Sequence, residues 1–524
     1  MEERDYERLL LWLLTLSLLT RFILAAWLEL GNDEVYYYQY ALYPSLSYFD
    51  HPPMVGWLMR LFTLNLWLKG EWALRLTALI SGTLNTWLIY RLGKEILNAR
   101  TGFYAALLYT ASFYTFIISG TFILPDAPQS TFWLLAMLML MRSLGTGTIN
   151  SITRSRLWWA GLFIGLGMLS KYTAVFLWAG AIGYVLFYNR KWLKVPELYL
   201  SALLTLIVFS PVLIWNIQNQ WVSFGFHSER VDVTQGGLHL DYLLRELGGQ
   251  IFYNNPIVVL LGWTAVFMAL RGPQWLPLEK SRLLLFCSLP LILIFPGVSL
   301  WRETLPHWSG PGYHGLILLG ASWLAERKSG LKRPAVPLGI KLALGITLLV
   351  IGAGLGQIKG GWIIKPQTDR GYFRGKKDFS LDMYGWRQLK QKAIPLLDSL
   401  ENQGVMQKGS PLISFRWFPA ANLDYYIAQP SGRTLLACGP LHRIHQYRWI
   451  NQWRGGLQPG QDAWYLVAGR DFRKPEEVCP GCWNSIVAID TLPILRGKDT
   501  VMFFFLYGMK DFRPCDAYKR FNGR

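Results

Sequence analysis

Two adjacent carboxylates, Asp33 and Glu34, follow directly on the first long apolar segment of the chain. Tyrosines come next, at 36–38, 40, 43 and 48, and the stretch closes on Asp50, His51 and the pair Pro52-Pro53. Further along stand Asp126 in Leu124-Pro-Asp-Ala-Pro128, Lys171 in Leu169-Ser-Lys-Tyr172, and the group Arg302, Glu303 and His307. A carboxylate can take the proton from an attacking hydroxyl. A cation held where negative charge grows stabilises the transition state of a group transfer. Ionisable groups beside a hydrocarbon phase are costly unless they are used, paired or wet.

The elements that must position these groups are membrane helices. Of 524 residues, 52% are hydrophobic and 15% aromatic, too apolar for an ordinary soluble enzyme and too charged to lie wholly in a bilayer. Apolar runs of near-spanning length recur at 9–28, 72–90, 102–119, 126–142, 157–170, 172–188, 197–216, 253–270, 283–300, 309–325 and 335–357. One alternate set of loops holds Arg91, Lys94 and Arg100; Arg142, Arg154 and Arg156; Arg190, Lys191 and Lys194; Arg271, Lys280 and Arg282; and Arg327, Lys328, Lys332 and Arg333. The other set holds far fewer cations. By the positive-inside rule the N-terminus is inside and residues 29–71 are outside. An odd number of spans puts the C-terminus outside too. Met1–Arg8 is polar and no small-residue cleavage site follows 9–28, so this run is expected to stay as a helix.

The formal charge is +19, from 52 Lys and Arg against 33 Asp and Glu. Many of these cations sit in short gaps between apolar runs, as loops facing anionic lipid require. Neither a basic platform interleaved with aromatics nor a zinc-finger spacing is present, which argues against nucleic acid as a partner. Met54–Leu68, behind two prolines, reads as an interfacial helix. The stretch 217–252 reads as a long polar outside loop, of a length often used for lids.

After Leu355 the texture changes. Residues 358–524 are mixed in polarity and hold no spanning run, so the chain divides into a membrane part, 1–357, and a soluble α/β part. Short β-like runs at Leu412–Phe415, Thr434–Ala437, Trp464–Val467, Ile486–Ile489 and Val501–Leu506 accompany helical patterns at Leu381–Leu400 and Pro419–Ala428. This part carries 25 Lys and Arg against 14 Asp and Glu, a net +11 that suits an anionic neighbour. Cys438, Cys479, Cys482 and Cys515 lie here, and three pairings are open to them. Structural disulfides, free thiols and a metal or redox role for Cys479-Pro-Gly-Cys482 all remain compatible with the spacing.

Each candidate has a plainer reading. Asp33 and Glu34 could serve a helix dipole, and Asp126 could cap a helix. Lys171 and Arg302 could snorkel to headgroups. His51 could be a satisfied loop histidine. His314, seven residues after His307, would share its face on a helix and reads as structural. The tyrosines, Tyr37 among them, fit an interfacial belt. The gathering of acids and cations at one boundary is harder to explain this way than any single member.

Asp33-Glu34 after the first span, Phe49-Asp-His-Pro-Pro53, Arg75 after Glu71-Trp, Pro125-Asp-Ala-Pro128 and Lys171 together resemble the bacterial membrane glycosyltransferases of family 39. These are similar to the protein O-mannosyltransferases and the lipid A aminoarabinose transferase and share the GT-C architecture. The resemblance covers roughly residues 1–330, with a weaker match at Met383-Tyr-Gly-Trp386 and Ala420–Tyr426. It implies a polytopic α-helical membrane protein of the GT-C type, in agreement with the count of about eleven spans and the C-terminal soluble α/β domain read from the residues. It also implies a sugar donor on a polyprenyl phosphate and inversion at the anomeric centre. On this basis Asp33 is expected as the base, Glu34 and Asp126 as acceptor- or sugar-positioning groups, and Lys171 on the donor phosphate. Arg302, His51, His307 and Tyr37 are expected to bind substrate. A histidine at 51 stands where the aminoarabinose transferases carry a lysine, and its reference pKa near 6.5 leaves it mostly neutral at pH 7. No metal or other cofactor is expected. The expected partners are a lipid-linked sugar, a cell-envelope acceptor and membrane lipids. The expected place is the bacterial inner membrane, with the C-terminal domain outside. A transporter or flippase of a lipid-linked sugar is the alternative, and would bury its charges near the bilayer midplane.

Overall fold

A computed structural model describes residues 3–234, 237–272, 275–327, 336–365, 372–515 and 518. They form two compact units: Met1–Ala26 with Pro44–Leu349, and Trp27–Tyr43 with Val350–Arg524. In chain order the helices are α1 (Glu3–Trp27), α2 (Asn32–Leu42), α3 (Met54–Phe62), α4 (Glu71–Leu74), α5 (Leu76–Ile96), α6 (Ala99–Ala111), α7 (Asp126–Ser143), α8 (Ser151–Ser170) and α9 (Phe176–Tyr188). They continue with α10 (Pro196–Gln218), α11 (Val222–Val231), α12 (Leu240–Tyr253), α13 (Pro256–Leu270), α14 (Leu278–Ser299), α15 (Tyr313–Arg327), α16 (Leu338–Leu355) and α17 (Trp386–Asn402), ahead of shorter ones.

Each apolar run read from the sequence falls largely on helices of this series. Two boundaries differ. The run 102–119 breaks at Ser112, and Tyr114–Ile118 form a separate π-turn. The stretch 217–252 is not an open loop: α11 and α12 occupy most of it. Leu240, Leu243, Leu244, Leu247 and Ile251 give α12 a helical stripe, which the intervening Asp241, Arg245, Glu246 and Gln250 hide from a search for apolar runs. The inside-loop cations Lys328, Lys332 and Arg333, and the start of the last run at 335, lie outside the described residues.

Among the described residues, length and apolarity together qualify four helices to cross a bilayer: Glu3–Trp27, Pro196–Gln218, Leu278–Ser299 and Leu338–Gly360. A fifth joins them if α12 and α13, bent by 99°, are one span. The expected eleven is not reached by this measure, and burial explains part of the gap. Fifteen of the eighteen residues of α7 are buried, among them Asp126, Gln129, Ser130 and Thr131. A helix surrounded by other helices tolerates polar groups that a lipid-facing one does not. By contrast α1 exposes Leu11, Trp12 and Leu16, and α16 exposes Leu348 and Leu349, a large apolar surface of the kind lipid covers. Where helices meet, small residues set the spacing. A Cβ at Gly161 of α8 would collide with the Ser201 carbonyl of α10, so only glycine permits this approach.

The second unit is built on a five-stranded sheet. Its strands are β1 (Leu412–Ser414), β2 (Leu435–Ala437), β3 (Ala463–Ala468), β4 (Trp483–Arg496) and β5 (Asp499–Phe512), in spatial order β2-β1-β3-β5-β4. β1 runs parallel to β2 and β3, while β5 runs antiparallel to β3 and β4. All five β-like runs fall on these strands. The last two are longer than expected because they form one hairpin, turned at Gly497 with φ +62°. The cysteines pair as Cys438–Cys479 and Cys482–Cys515, so the two members of the C-x-x-C motif bond elsewhere and not to each other.

This unit also contains α2. The Trp386 N–H donates to the Glu29 carboxylate at 2.7 Å, and the Leu30 N–H to the Tyr426 hydroxyl at 2.8 Å. The Tyr38 hydroxyl donates to Gln429 Oε1 at 2.9 Å, and Arg454 Nε donates to the Tyr43 hydroxyl at 2.8 Å. Tyr36, Tyr37, Tyr38 and Tyr40 are buried, as is Tyr48 in the helical unit. Tyr36, Tyr38 and Tyr48 are packed core with hydrogen-bonded hydroxyls, and Tyr37 and Tyr40 are buried with them, so these residues do not form a belt at a lipid interface.

Candidate functional site

Within the helical unit the polar candidates meet at helix ends. α8 stops at Ser170, and Lys171 takes an extended conformation (φ −156°, ψ 135°) before a 3₁₀ turn leads into α9. Its N–H still closes the last turn of α8 on the Gly167 carbonyl at 2.9 Å, and the chain leaves the helix there. Asp126 is the first residue of α7, with Pro125 before it. Its side chain does not cap the helix: Lys171 Nζ donates to both of its oxygens at 2.9 Å, and the Tyr114 hydroxyl donates to Oδ1 at 3.0 Å. The pair is closed off from water, with side-chain exposures of 8% for Lys171 and 3% for Asp126. Lys171 has three N–H donors, and two of them go to Asp126. A carboxylate so held is a poor proton acceptor and a good anchor.

Two histidines, His51 and His307, lie near enough to feel the charges of the pair. His51 lies in the turn before α3, and His307 in the 3₁₀ turn Pro306–Gly312. Burial pushes His51 down to about 3, against the pull of Asp50, with His227 and Lys171 lowering it further. Burial likewise pushes His307 down to about 4, with the Lys171 ammonium adding to the shift and Asp126 opposing it. Both rings are thus neutral at pH 7, able to donate one hydrogen bond and accept one. His227 of α11 donates from Nε2 to the Asp50 carbonyl at 2.8 Å and so anchors the turn that carries His51. The turn carrying His307 is anchored otherwise: Gly310 lies so close to the Tyr114 ring that a Cβ would overlap it. Tyr114 thus supports Asp126 on one side and the His307 turn on the other.

Other candidates are placed differently. Arg302 donates from Nε to the Asp232 carbonyl at 2.6 Å, and Arg245 pairs with Glu303 at 2.6 Å. Because His307 sits in a 3₁₀ turn and His314 in α15, no single α-helical face carries both. His314 is buried, with neither ring nitrogen hydrogen-bonded among the described residues. Asp33, Glu34 and Tyr37 belong to the second unit. There Glu34 is buried and accepts the Gly31 N–H at 2.9 Å, closing the first turn of α2. Asp33, in the same turn, is exposed. Tyr37 is buried against Tyr36 and Tyr40. Among the described residues, no three His, Cys, Asp or Glu side chains are grouped to hold a metal ion. The residues not singled out from the sequence are Tyr114 and His227.

Residues 50–215, which include His51, Asp126 and Lys171, match the family model of dolichyl-phosphate-mannose-protein mannosyltransferase. ArnT from Cupriavidus metallidurans, solved bound to undecaprenyl phosphate, superposes with a TM-score of 0.61 over 95% of this chain and 97% of that one, at 14% identity. The chain has the GT-C membrane fold. The apo form of ArnT gives the same answer, with a TM-score of 0.59. Lipid A galacturonosyltransferase RgtD of Rhizobium johnstonii is 21% identical over 319 residues, which are 60% of this chain. The match spans 63% of RgtD, less than two thirds of its length. The GT-C resemblance drawn from the sequence is borne out, as is a helical membrane part followed by a small sheet domain.

Proposed function

We propose that the protein is an inverting glycosyltransferase that moves a sugar from a polyprenyl-phosphate donor to a cell-envelope acceptor. The observation that carries this is the buried Lys171 ammonium, fixed on Asp126 with two neutral histidines near it. A phosphate leaving group develops negative charge as the glycosidic bond breaks. An ammonium already oriented in a water-poor site stabilises that charge without reorganisation. Asp126 holds the lysine, while His51 and His307 supply neutral donors to phosphate or sugar oxygens. The GT-C fold shared with ArnT, which binds undecaprenyl phosphate, supports the same donor class. Asp33 is the acceptor-side base in this reading: it is exposed, so it can reach an incoming hydroxyl. Glu34 and Tyr37 support it through α2, and Arg302 steadies the segment that leads to His307. The reaction takes place at the outer face of the bacterial inner membrane, with the N-terminus cytoplasmic, the C-terminal unit outside, and no metal required.

The test uses purified protein, radiolabelled undecaprenyl-phosphate sugars and membrane extract. Label is expected to move from one donor to an envelope acceptor, unchanged by EDTA. Donors that keep all their label with wild type would sink the reading. Transfer by Asp33→Asn at the wild-type rate would remove Asp33 from its role.

A further inference from the structure

The second unit has a cleft of about 680 Å³ at the carboxyl ends of its three parallel strands. Phe415, Arg416 and Trp417 follow β1, Arg443 lies beyond β2, and Arg470 to Arg473 follow β3; all of them line it. In open α/β sheets, ligands bind outside the carboxyl ends of the strands. This cleft is strongly cationic. Lys376, Arg416, Arg443, Arg470 and Arg473 face two acids, Asp471 and Glu477.

Three of the five cations pair with acids: Arg473 Nε lies 3.4 Å from Glu477, and Arg470 Nε lies 3.5 Å from Asp471. Arg416 Nη2 pairs with Asp471 at 2.5 Å, and Arg470 Nη2 with Asp382 at 2.6 Å. These pairs fix two guanidinium planes. Their other donors remain: Arg416 Nε and Arg470 Nη1 are buried with no hydrogen-bond partner among the described residues. An anion in the cleft would form charge-assisted bonds with the exposed ammonium and guanidinium donors that line it. Lys376 and Arg443 are exposed and make no ion pair among the described residues. Aromatic rings complete the lining: Phe373, Phe415, Trp417 and Phe472. Arg416 lies over the Phe415 ring at 5.4 Å and Lys376 over Phe373 at 5.1 Å, so rings and cations present one mixed surface. A cationic surface alone would suit any anion. Flat apolar faces beside oriented guanidinium groups suit a sugar ring that carries a phosphate.

We propose that this cleft binds a phosphorylated saccharide, the headgroup of an envelope glycolipid. The glycolipid as source rests on the transferase reading; the cleft itself does not. Binding is therefore measured on the full-length protein in detergent, with no sugar donor present. Labelling of Lys376 by an amine reagent, read by peptide mass spectrometry, reports occupancy, and exposed Lys408 serves as control. Glucose 1-phosphate is expected to protect Lys376 and not Lys408, at concentrations at least tenfold below those of inorganic phosphate, while glucose does not protect. Arg443→Ser is expected to raise the protecting concentration at least tenfold, and Arg443→Lys to raise it less. A bis-phosphorylated diglucosamine glycolipid in micelles is expected to protect at lower concentration still. Equal protection by inorganic phosphate would overturn the saccharide assignment, and protection by glucose 1-phosphate without protection by the glycolipid would overturn the headgroup. Lack of protection by any phosphorylated probe would overturn the site. None of these outcomes depends on turnover, so the transferase reading stands or falls separately.

Discussion

The buried pair of the helical unit and the cleft of the second unit handle positive charge in opposite ways. In the helical unit Lys171 is almost sealed from water and lies against one carboxylate and a tyrosine. In the second unit five cations share a wet cleft with two acids, and two of those cations are exposed. A buried charge must be matched atom by atom, because its desolvation penalty is several kcal/mol. An exposed cation is screened, contributes little by itself, and becomes effective in numbers. The first arrangement suits the point where charge develops in a reaction. The second suits holding an anion that already exists.

The sharpest way to break this contrast is at Lys171. Lys171→Ala leaves Asp126 buried and unpaired, and is expected to lower stability by about 3–5 kcal/mol and to abolish transfer. The double variant Lys171→Met with Asp126→Asn removes both charges and is expected to recover most of the stability but no activity. A Lys171→Ala protein that melts like wild type would show that the pair is not the anchor described. Asp33 offers the opposite test, because it is exposed. Asp33→Asn is expected to reduce transfer by roughly 10²–10⁴-fold with an unchanged melting temperature. A matching drop in stability would make Asp33 a structural residue.

Smaller effects probe the supports. Gly310→Val drives a side chain into the Tyr114 ring, and overpacking of this kind costs about 1–3 kcal/mol. Transfer should fall with it, since Tyr114 holds both Asp126 and the His307 turn, and Tyr114→Phe should show a milder version of the same loss. The pH dependence is the mildest test. His51 and His307 are held below the ordinary imidazole value, so between that value and about 4 the unfolded chain binds protons that the folded one refuses. Their contribution to stability is therefore flat above pH 7, falls as pH drops below about 6.5, and levels off below about 4 for His307 and about 3 for His51. Melting temperatures of His307→Gln should decline less over that window than those of wild type. Equal slopes would indicate that His307 is wet.

The tyrosines show what is hard to read from one sequence. Spaced after an apolar segment, they look like a lipid interface, because a belt and a packed core use the same amphipathic residue. Glu34 shows the same for acids: its type suggests chemistry, yet its carboxylate accepts the N–H of Gly31. Likewise α12 was concealed by four polar residues whose partners, such as Thr304 for Glu246 at 2.7 Å, come from a distant part of the chain. Tyr114 carried no local signal at all, because its role depends on a helix break and on two segments that reach it from elsewhere.

Hydrophobic runs, cation-bearing loops and period-two stretches determined by themselves the helical membrane part, the small sheet domain and nearly all the elements. These signals are local, set by helix and strand periods and by the bilayer's thickness. The motif residues Asp126 and Lys171 were likewise legible one at a time. Only the tertiary structure decided that they face each other, that Tyr114 and two neutral histidines come near them, and that the two cysteines of the C-x-x-C motif pair with Cys438 and Cys515. Those outcomes depend on which helix ends meet once the core is packed, and burial then fixes which charges must be paired.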